Sequence, residues 1–396
     1  MHCGQITDFL HLDELYTEEE RMARESVATF VDREVLPIIA DHYEKGTFPK
    51  HLIPMMGEMG LFGATFDGWG CPGVSPVAYG LMMMELERAD SGMRSMASVQ
   101  GMLVMWPIMT YGTDAQKDHW LPKLAKGEAV GCFGLTEPDY GSDPGGMITR
   151  AKKTEKGYVL NGSKLWITNG GVADVAVVWA KLEGAGEGPG SIRGFLVEKG
   201  TPGYTTHDLH GKLSLRASVT SGLSFDDVEI PEENLLPHGQ GLSAPLRCLT
   251  QARYGIAYGA IGAAIACYEA AVKYSQERIQ FGKPLGRFQL VQMKLAEMLT
   301  AITNAQNLML RMGRLKEEGR LSHVQVSFAK RYCVAMALDV ARDARDIHGA
   351  NGIMLEYPPM RHMCNLETVK TYEGTHDIHT LALGRHITGL DAFGAA

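Results

Sequence analysis

The sequence lacks several features that would assign it to a specialised class of protein. No run approaches eighteen apolar residues without a charge, so we expect no membrane span. Positive charge is not in excess: 38 Lys and Arg stand against 46 Asp and Glu, and the net charge of −8 argues against nucleic acid as a partner. The N-terminal residues show neither the apolar core of a signal peptide nor the Arg-rich character of a transit peptide.

Cysteine is scarce, and its spacing is uninformative. The 7 cysteines are scattered without a CxxC pair or a suitably spaced histidine, so we expect neither a disulfide framework nor a metal site. Reduced thiols are typical of the bacterial cytoplasm, the location we expect, or of the mitochondrial matrix if the chain is a processed form. No GxGxxG follows a predicted strand, so a Rossmann-type nucleotide site is not supported.

The sequence does contain two changes of hydrophobic periodicity, which predict three domains. Residues 1–127 have helical spacing, residues 128–238 have short β-branched and aromatic runs, and residues 239–396 return to long helices. The predicted fold is therefore α+β. It consists of an N-terminal all-α domain, a middle antiparallel β-domain and a C-terminal four-helix bundle.

Local signals refine this outline. Thr17 with Glu20 predicts a capping box at a helix start, and Thr113 is expected to open a later helix. Asn161-Gly162 predicts a hairpin between two strands of the middle domain. The four C-terminal helices are predicted at 246–277, 289–318, 324–348 and 375–389.

A carboxylate beside a glycine precedes the last of these helices. Glu373 and Gly374 lie just before Thr375, the candidate N-cap. Because glycine allows a ligand to approach the backbone closely, Glu373 suits a general base that faces a flat acyl group. The alternative is an acidic residue that only stabilises the helix dipole. The local sequence leaves both interpretations open.

Four further stretches combine residues that suit a flat or phosphorylated ligand, and each also has a purely structural alternative. The alternatives are, in order, a β-turn, a core tryptophan, an arginine on a helix dipole and a helix C-cap. The stretches are Cys132–Asp143, Lys164–Asn169 with Trp166, Arg278–Leu285 with Gln289, and His348–Gly352.

Together and in this order, these stretches resemble the acyl-CoA dehydrogenases along essentially the whole chain. Glu87–Ser95, Cys132–Asp143, Arg253–Ile256 and Thr371–His379 carry the likeness, which extends to the branch that acts on glutaryl-CoA. The resemblance implies FAD as cofactor and an acyl-CoA as substrate. It also implies a homotetramer with electron-transferring flavoprotein as electron acceptor.

For FAD, the resemblance implies contacts from three groups of residues. One side of the flavin would meet Phe133, Leu135, Thr136 and Ser142, and the other Trp166, Ile167 and Thr168. The phosphates or adenosine would be held across a subunit interface by Arg278, Phe281, Gln289, Gly349 and Gly352. Thr375 and Phe393 would complete the site.

For the substrate, the resemblance implies that Glu373 removes the α-proton while the β-hydrogen leaves as hydride to flavin N5. A flavin hydroxyl and the Glu373 backbone N–H would stabilise the enolate. Arg94 and Ser95 would hold a distal carboxylate, and Glu87 would tune that grip. The implied substrate set also contains Ser142, Leu246, Arg253, Tyr372 and Gly374.

The expected reaction is oxidative decarboxylation of glutaryl-CoA to crotonyl-CoA. Loss of the γ-carboxylate as CO2 would leave a dienolate that the acid form of Glu373 protonates. The alternatives are oxidation without decarboxylation, a dehydrogenase for a neutral short or branched acyl chain, and an oxidase. At the level of class, the alternative is a non-catalytic flavoprotein or a nucleic-acid-associated relative of the same fold, and the acidic charge and Glu373 argue against both. Arg94 discriminates against the neutral substrates, because a cation in an apolar acyl pocket is costly without a carboxylate.

Overall fold

The computed structural model describes residues 7–186 and 188–392. The segment before residue 131 is mainly helical. It also contains a short antiparallel β-ladder between Asp67–Gly68 and Cys71–Pro72. Its α-helices include α1 (Glu18–Phe30), α2 (Leu36–Lys45), α3 (Leu52–Glu58), α4 (Pro76–Ala89), α5 (Ser91–Ser98), α6 (Trp106–Tyr111) and α7 (Asp114–Ala125). The predicted caps are confirmed: the Thr17 and Thr113 hydroxyls accept from the backbone N–H groups of Glu20 and Gln116 at 3.2 Å.

A break at Asp90 separates α4 from α5 and orients the start of α5. The Asp90 backbone is extended, and its carboxylate accepts a hydrogen bond from the Gly92 N–H at 2.8 Å. The same carboxylate accepts from Arg361 at 2.6 Å and from Asn365 at 2.9 Å, both on a C-terminal helix. This buried network ties α5 to the C-terminal part of the chain.

The middle of the chain forms one eight-stranded sheet. The strands are β1 (Gly131–Gly134), β2 (Arg150–Thr154), β3 (Gly157–Thr168), β4 (Val175–Leu182), β5 (Ile192–Glu198), β6 (Tyr204–Asp208), β7 (Thr220–Pro231) and β8 (Leu235–Gln240). Their order is β8-β5-β4-β2-β3-β7-β6, and β1 also pairs with β4. The sheet is mainly antiparallel, as predicted, but β1 and β2 each run parallel to β4.

The predicted hairpin at Asn161-Gly162 is wrong, because β3 runs through both residues. The β2–β3 register pairs Thr154 with Gly157, so the turn lies at 155–156. Asn161 instead exchanges two hydrogen bonds of 2.9 Å with Asp227 beside an irregularity in the β3–β7 ladder. Gly162 has φ 139°, and a Cβ there would lie 2.6 Å from the Thr149 hydroxyl. This Asn-Gly pair therefore serves a bulge rather than a turn.

The C-terminal part contains five long helices in the described chain, one more than predicted. They are α8 (Ser243–Glu277), α9 (Gln289–Glu317), α10 (His323–Ile347), α11 (Pro358–Thr371) and α12 (His376–Thr388). Helix α11, with two prolines at its first turn, was not predicted. It leads directly into the Glu373 loop.

Helix α8 lies at the centre of the molecule. By length and composition it is apolar enough to cross a membrane, but 78% of its most apolar window is buried inside the protein. It packs against α4 and α10, so a core helix explains its composition. One hydrophobic core joins the helices to the sheet face that carries Phe133 and Trp179, and a second core lies on the opposite face around Phe195.

Candidate active site

The Glu373 loop is a short, strained link between α11 and α12. Helix α11 ends at Thr371, and Thr375 caps α12 by accepting from the Ile378 N–H at 3.1 Å, as predicted. Between them, Glu373 has φ 52° and Gly374 has φ 90°. A left-handed conformation is uncommon for a residue other than glycine and is often found where a side chain must be aimed. The loop geometry therefore directs the Glu373 carboxyl inward.

The Glu373 carboxyl is buried among cations. Its Oε2 atom accepts no hydrogen bond from the described residues. Burial raises the pKa of this carboxyl above its usual 4.5, and the nearby charges of Lys330, Arg94 and Arg253 act in the opposite direction. A carboxylate that is desolvated but not neutralised by a direct ion pair is suited to accept and return a proton.

Arg94 lies in the same buried region. Its Nε donates to Glu87 at 2.7 Å, and both side chains are at most 1% exposed. Its Nη2 donates to the Tyr372 hydroxyl, and the Ser95 hydroxyl lies 3.5 Å from the same oxygen. Because the break at Asp90 lies between them, Glu87 and Arg94 pair across two separate helices, α4 and α5.

A glycine on α8 makes room for this ion pair. A Cβ at Gly259 would lie 2.0 Å from the Glu87 carboxylate and 3.2 Å from Arg94 Nε. Ser91 on α5 donates to the other Glu87 oxygen at 2.7 Å. Both oxygens of Glu87 are therefore engaged. Among the described residues the guanidinium donates only through Nε and Nη2, which leaves N–H groups for a further acceptor.

Arg253 approaches the loop from α8, whereas Leu246 lies a little earlier on the same helix. The Arg253 Nε atom donates to the Glu373 carbonyl at 2.6 Å, and burial lowers the pKa of this arginine. A Cβ at Gly374 would lie 3.2 Å from its guanidinium. Arg253 therefore holds the Glu373 loop itself. Sequence reasoning assigned it to substrate binding instead.

Sequence reasoning missed Lys330, which lies beneath the same loop. Its Nζ donates to the Gly374 carbonyl at 2.8 Å and also to the Tyr372 carbonyl. Its side chain is buried among the apolar residues that α10 turns toward the core, including Val326 and Cys333. A lysine inside the apolar stripe of a predicted helix was the signal that could have found it.

The two stretches expected to face the flavin lie side by side. The Leu165 N–H donates to the Thr136 carbonyl at 2.9 Å, and Lys164 bonds the Glu137 carboxylate at 2.9 Å. Trp166 is 60% exposed at φ 64°. Of the other residues expected here, Thr136 and Thr168 are half-buried, Ser142 is exposed, and Phe133, Leu135 and Ile167 are buried.

The residues expected to hold the far end of FAD lie together at one end of the helical bundle. Asn351, inside the Gly349–Gly352 turn, donates to the Tyr274 hydroxyl near the end of α8, just before Arg278. Phe281 is 92% exposed and Gln289 begins α9. Within 7–186 and 188–392 no hydrogen bond, ion pair or ring contact joins this group to the Trp166 segment. Phe393 lies outside the described residues.

Comparison with known proteins identifies the family. The N-terminal, middle and C-terminal domain models of the acyl-CoA dehydrogenases match residues 17–128, 132–228 and 239–388. The chain belongs to the acyl-CoA dehydrogenase family. It is 38% identical, over 90% of this chain and 94% of the relative, to a short-chain specific acyl-CoA dehydrogenase of Megasphaera elsdenii.

Two solved structures are more similar still. A glutaryl-CoA dehydrogenase of Mycobacterium smegmatis shares 50% identity at a TM-score of 0.95, covering 98% of this chain and 99% of that one. A glutaryl-CoA dehydrogenase of the same organism in complex with FADH2 shares 46% identity at a TM-score of 0.96, with the same coverage. The cofactor of this chain is FAD. The exposed, left-handed Trp166 beside Thr136 and Thr168 fits a planar ring with polar edges.

Proposed function

We propose that this FAD-dependent acyl-CoA dehydrogenase oxidises and decarboxylates glutaryl-CoA to crotonyl-CoA and CO2. The observation that carries the proposal is the Arg94 guanidinium, buried in the same region as the Glu373 carboxyl and joined to it through Tyr372. A buried arginine with free donors favours a substrate that brings its own carboxylate. The similarity to two solved glutaryl-CoA dehydrogenases supports the same substrate.

In the first step, Glu373 removes the α-proton of the thioester. FAD bound beside the Trp166 segment would supply the oxidant for the β-hydrogen, which leaves as hydride. Charge that develops on the thioester oxygen needs a fixed donor, and we assign the Glu373 backbone N–H to this role. Arg94, with Ser95 and Tyr372, holds the distal carboxylate so that the substrate is bound at both ends.

In the second step, the γ-carboxylate of the oxidised acyl chain leaves as CO2. The electron pair of the broken C–C bond passes into the conjugated thioester. Glu373, which carries the proton taken in the first step, returns it to the γ-carbon and gives crotonyl-CoA. Because Glu87 occupies Arg94 Nε, it weakens the hold on the departing carboxylate. A raised pKa at Glu373 suits a group that acts as base and then as acid.

Several assignments belong to the same proposal. They are the domain boundaries after residues 127 and 238, a homotetramer, electron-transferring flavoprotein as acceptor, and a bacterial cytoplasmic location. Exposed apolar side chains at the end of the bundle near Arg278 support an assembly in which another subunit covers them. They are Phe281, Leu290, Met293, Ile353 and Met354. The remaining flavin, nucleotide and CoA contacts expected from the sequence are proposed as well.

The test uses purified, FAD-loaded protein with glutaryl-CoA and an artificial electron acceptor. Flavin bleaching is followed by absorbance, and the acyl product is identified by mass. We expect crotonyl-CoA with one equivalent of CO2. Glutaconyl-CoA without CO2 would keep the substrate but refute decarboxylation. Bleaching by butyryl-CoA and not by glutaryl-CoA would favour a neutral substrate, which the relative from Megasphaera elsdenii makes the second candidate.

A further inference from the structure

Two basic side chains donate to three consecutive carbonyl groups of the Glu373 loop. Lys330 on α10 donates to the Tyr372 and Gly374 carbonyls, the latter at 2.8 Å. Arg253 on α8 donates to the carbonyl between them, that of Glu373, at 2.6 Å. The loop is therefore held from two helices through its backbone, whatever side chains it carries.

The Lys330 bond to Tyr372 also determines where the next amide points. The Tyr372 carbonyl and the Glu373 N–H belong to one peptide group, and in a trans peptide they point in opposite directions. With the carbonyl held by Lys330, the Glu373 N–H points away from this lysine. Among the hydrogen bonds of residues 7–186 and 188–392, none uses this N–H as donor. It is thus kept available for an acceptor outside the loop.

We propose that Lys330 is a positioning residue, which clamps the Tyr372–Glu373 peptide so that the Glu373 amide and carboxyl face the acyl thioester together. This inference rests on the proposed role of Glu373. A carbonyl that accepts from a lysine amine is polarised, and polarisation of one peptide group strengthens its N–H as a donor. Lys330 would therefore both orient the Glu373 carboxyl and strengthen the N–H group that stabilises the enolate.

Packing alone does not account for a lysine at this position. Its side chain is 2% exposed, and burial lowers its pKa well below the usual 10.5. A methionine or leucine of similar length would avoid that desolvation and complete the apolar stripe of α10. The charged, titratable and aromatic groups that face Lys330 include Glu373, Arg94, Arg253, the Tyr372 ring at 5.5 Å, His376 and His379. Burial lowers the pKa of His379 to about 2. Amine and ammonium forms both supply the two N–H donors that the carbonyls require.

The experiment compares Lys330→Met, which keeps the volume and removes the donors, with Lys330→Gln, which restores amide donors. Lys316→Met is the matched control, because Lys316 is a half-buried lysine whose bond goes to Gln251 on α8. Two quantities are measured on FAD-loaded protein. The first is hydrogen exchange at the bonded amides that flank the loop, those of Tyr372, Ile378 and His379. The second is kcat and KM with glutaryl-CoA.

We expect faster exchange at these amides in Lys330→Met and a kcat lower by roughly tenfold to a hundredfold, with KM changed little. Lys330→Gln should recover part of both, and Lys316→Met should leave the loop exchange unchanged. Unchanged loop exchange in Lys330→Met, or unchanged kcat, would overturn the inference. If Lys330→Met does not fold, Lys330→Gln decides: its shorter side chain cannot reach both carbonyls, so loop exchange should be faster and kcat lower than in wild type, and wild-type values of both would overturn the inference. Because exchange does not depend on turnover, it tests the clamp even if Glu373 proves not to be the base.

Discussion

Glu87 accepts a hydrogen bond of 2.7 Å from Arg94 Nε, and together they form a fully buried ion pair beside the Tyr372 hydroxyl. Removing one partner of a buried pair leaves an uncompensated charge, which costs about 3–5 kcal/mol. The pair therefore couples the stability of the N-terminal helices to the substrate recognition that we propose for Arg94. Mutations can distinguish the effect of the pair on stability from its effect on activity.

The first prediction concerns the two members of this pair. Arg94→Met should lower the stability by about 3–5 kcal/mol, because Glu87 is left buried and unpaired. The double variant Arg94→Met/Glu87→Gln should regain most of that loss. Both variants should still lose activity with glutaryl-CoA, since neither carries a cation for the distal carboxylate, and both should lose far less with butyryl-CoA. Urea unfolding and kcat/KM for the two substrates measure these effects. An equal loss on both substrates would contradict the assignment of Arg94.

The second prediction concerns Gly259. Gly259→Ala places a methyl group 2.0 Å from the Glu87 carboxylate, so the ion pair must shift. We expect a loss of about 1–3 kcal/mol and a higher KM for glutaryl-CoA. Gly384→Ala on α12 is the control, because nothing lies within 4 Å of its Cβ position. Alanine there should stabilise the protein by about 0.5–1 kcal/mol, as in other helix interiors. If both substitutions change stability alike, Gly259 is not needed for close packing.

The third prediction concerns the pH dependence of the Glu373 carboxyl. Since its folded pKa is raised above the usual 4.5, the folded state binds this proton more tightly than the unfolded chain does. The free energy of unfolding therefore falls as the pH rises from 4.5 through the folded pKa of Glu373. Above the folded pKa the whole destabilisation is present. Glu373→Gln should be more stable than wild type at neutral pH, and the difference should vanish below pH 4.5. Denaturant unfolding across this range measures it, with the exposed Glu229→Gln as control.

The same variant tests catalysis. Glu373→Gln should still bind FAD. The rate at which glutaryl-CoA reduces the flavin should fall by roughly 100-fold to 10,000-fold, the usual contribution of general base catalysis. In the wild type, flavin reduction should increase with pH as Glu373 loses its proton. Stopped-flow absorbance of the flavin measures both. A substantial rate of reduction in the variant would assign the base to another group.

A fourth prediction concerns the buried Glu137–Lys164 pair behind the expected flavin loop. Glu137 accepts from Lys164 at 2.9 Å and from the N–H groups of Ile148 and Thr149 at 2.6 Å and 2.9 Å. Glu137→Gln should loosen this loop and raise the dissociation constant of FAD by about tenfold or more. The control is Glu232→Gln, which breaks the exposed pair with Lys153. The fluorescence of flavin released on dilution measures FAD dissociation in both variants. It should increase in Glu137→Gln and stay at the wild-type level in Glu232→Gln.

Local sequence signals predicted the parts of the fold and site that depend on local physics. Thr17, Thr113 and Thr375 cap helices because their hydroxyls reach nearby N–H groups, which is a matter of three or four residues. The same short range explains why Glu373 was placed on a loop before a helix. The resemblance then placed Arg94 near Glu373, which no local pattern does.

Interactions between distant segments account for what sequence reasoning missed. Asn161-Gly162 has the composition of a turn, but Asp227, 66 residues away, holds Asn161 within a continuous strand. Sequence reasoning treated Lys330 as one more residue of a predicted helix. Its hydrogen bond to the Tyr372 carbonyl, 42 residues further along the chain, forms only when α10 packs under the Glu373 loop. Helix α11 was missed because its core face, including Leu366 and Val369, is interrupted by Arg361 and Asn365. Those polar residues are buried against Asp90. Their hydrogen bonds to its carboxylate, in the N-terminal domain, offset the cost of burying them.

The distance along the chain between Arg94 and Tyr372 has a consequence for synthesis in the cell. They are 278 residues apart, and a ribosome adds about 5–20 residues per second, so roughly 15–55 seconds separate their emergence. During that interval Glu87, translated seven residues before Arg94, is already present to neutralise its charge. The N-terminal domain thus supplies the counterion of Arg94 before the segment that contains Tyr372 and Glu373 has been synthesised. A nascent chain stalled before α11 would already contain the Glu87–Arg94 ion pair but would lack Tyr372 and Glu373.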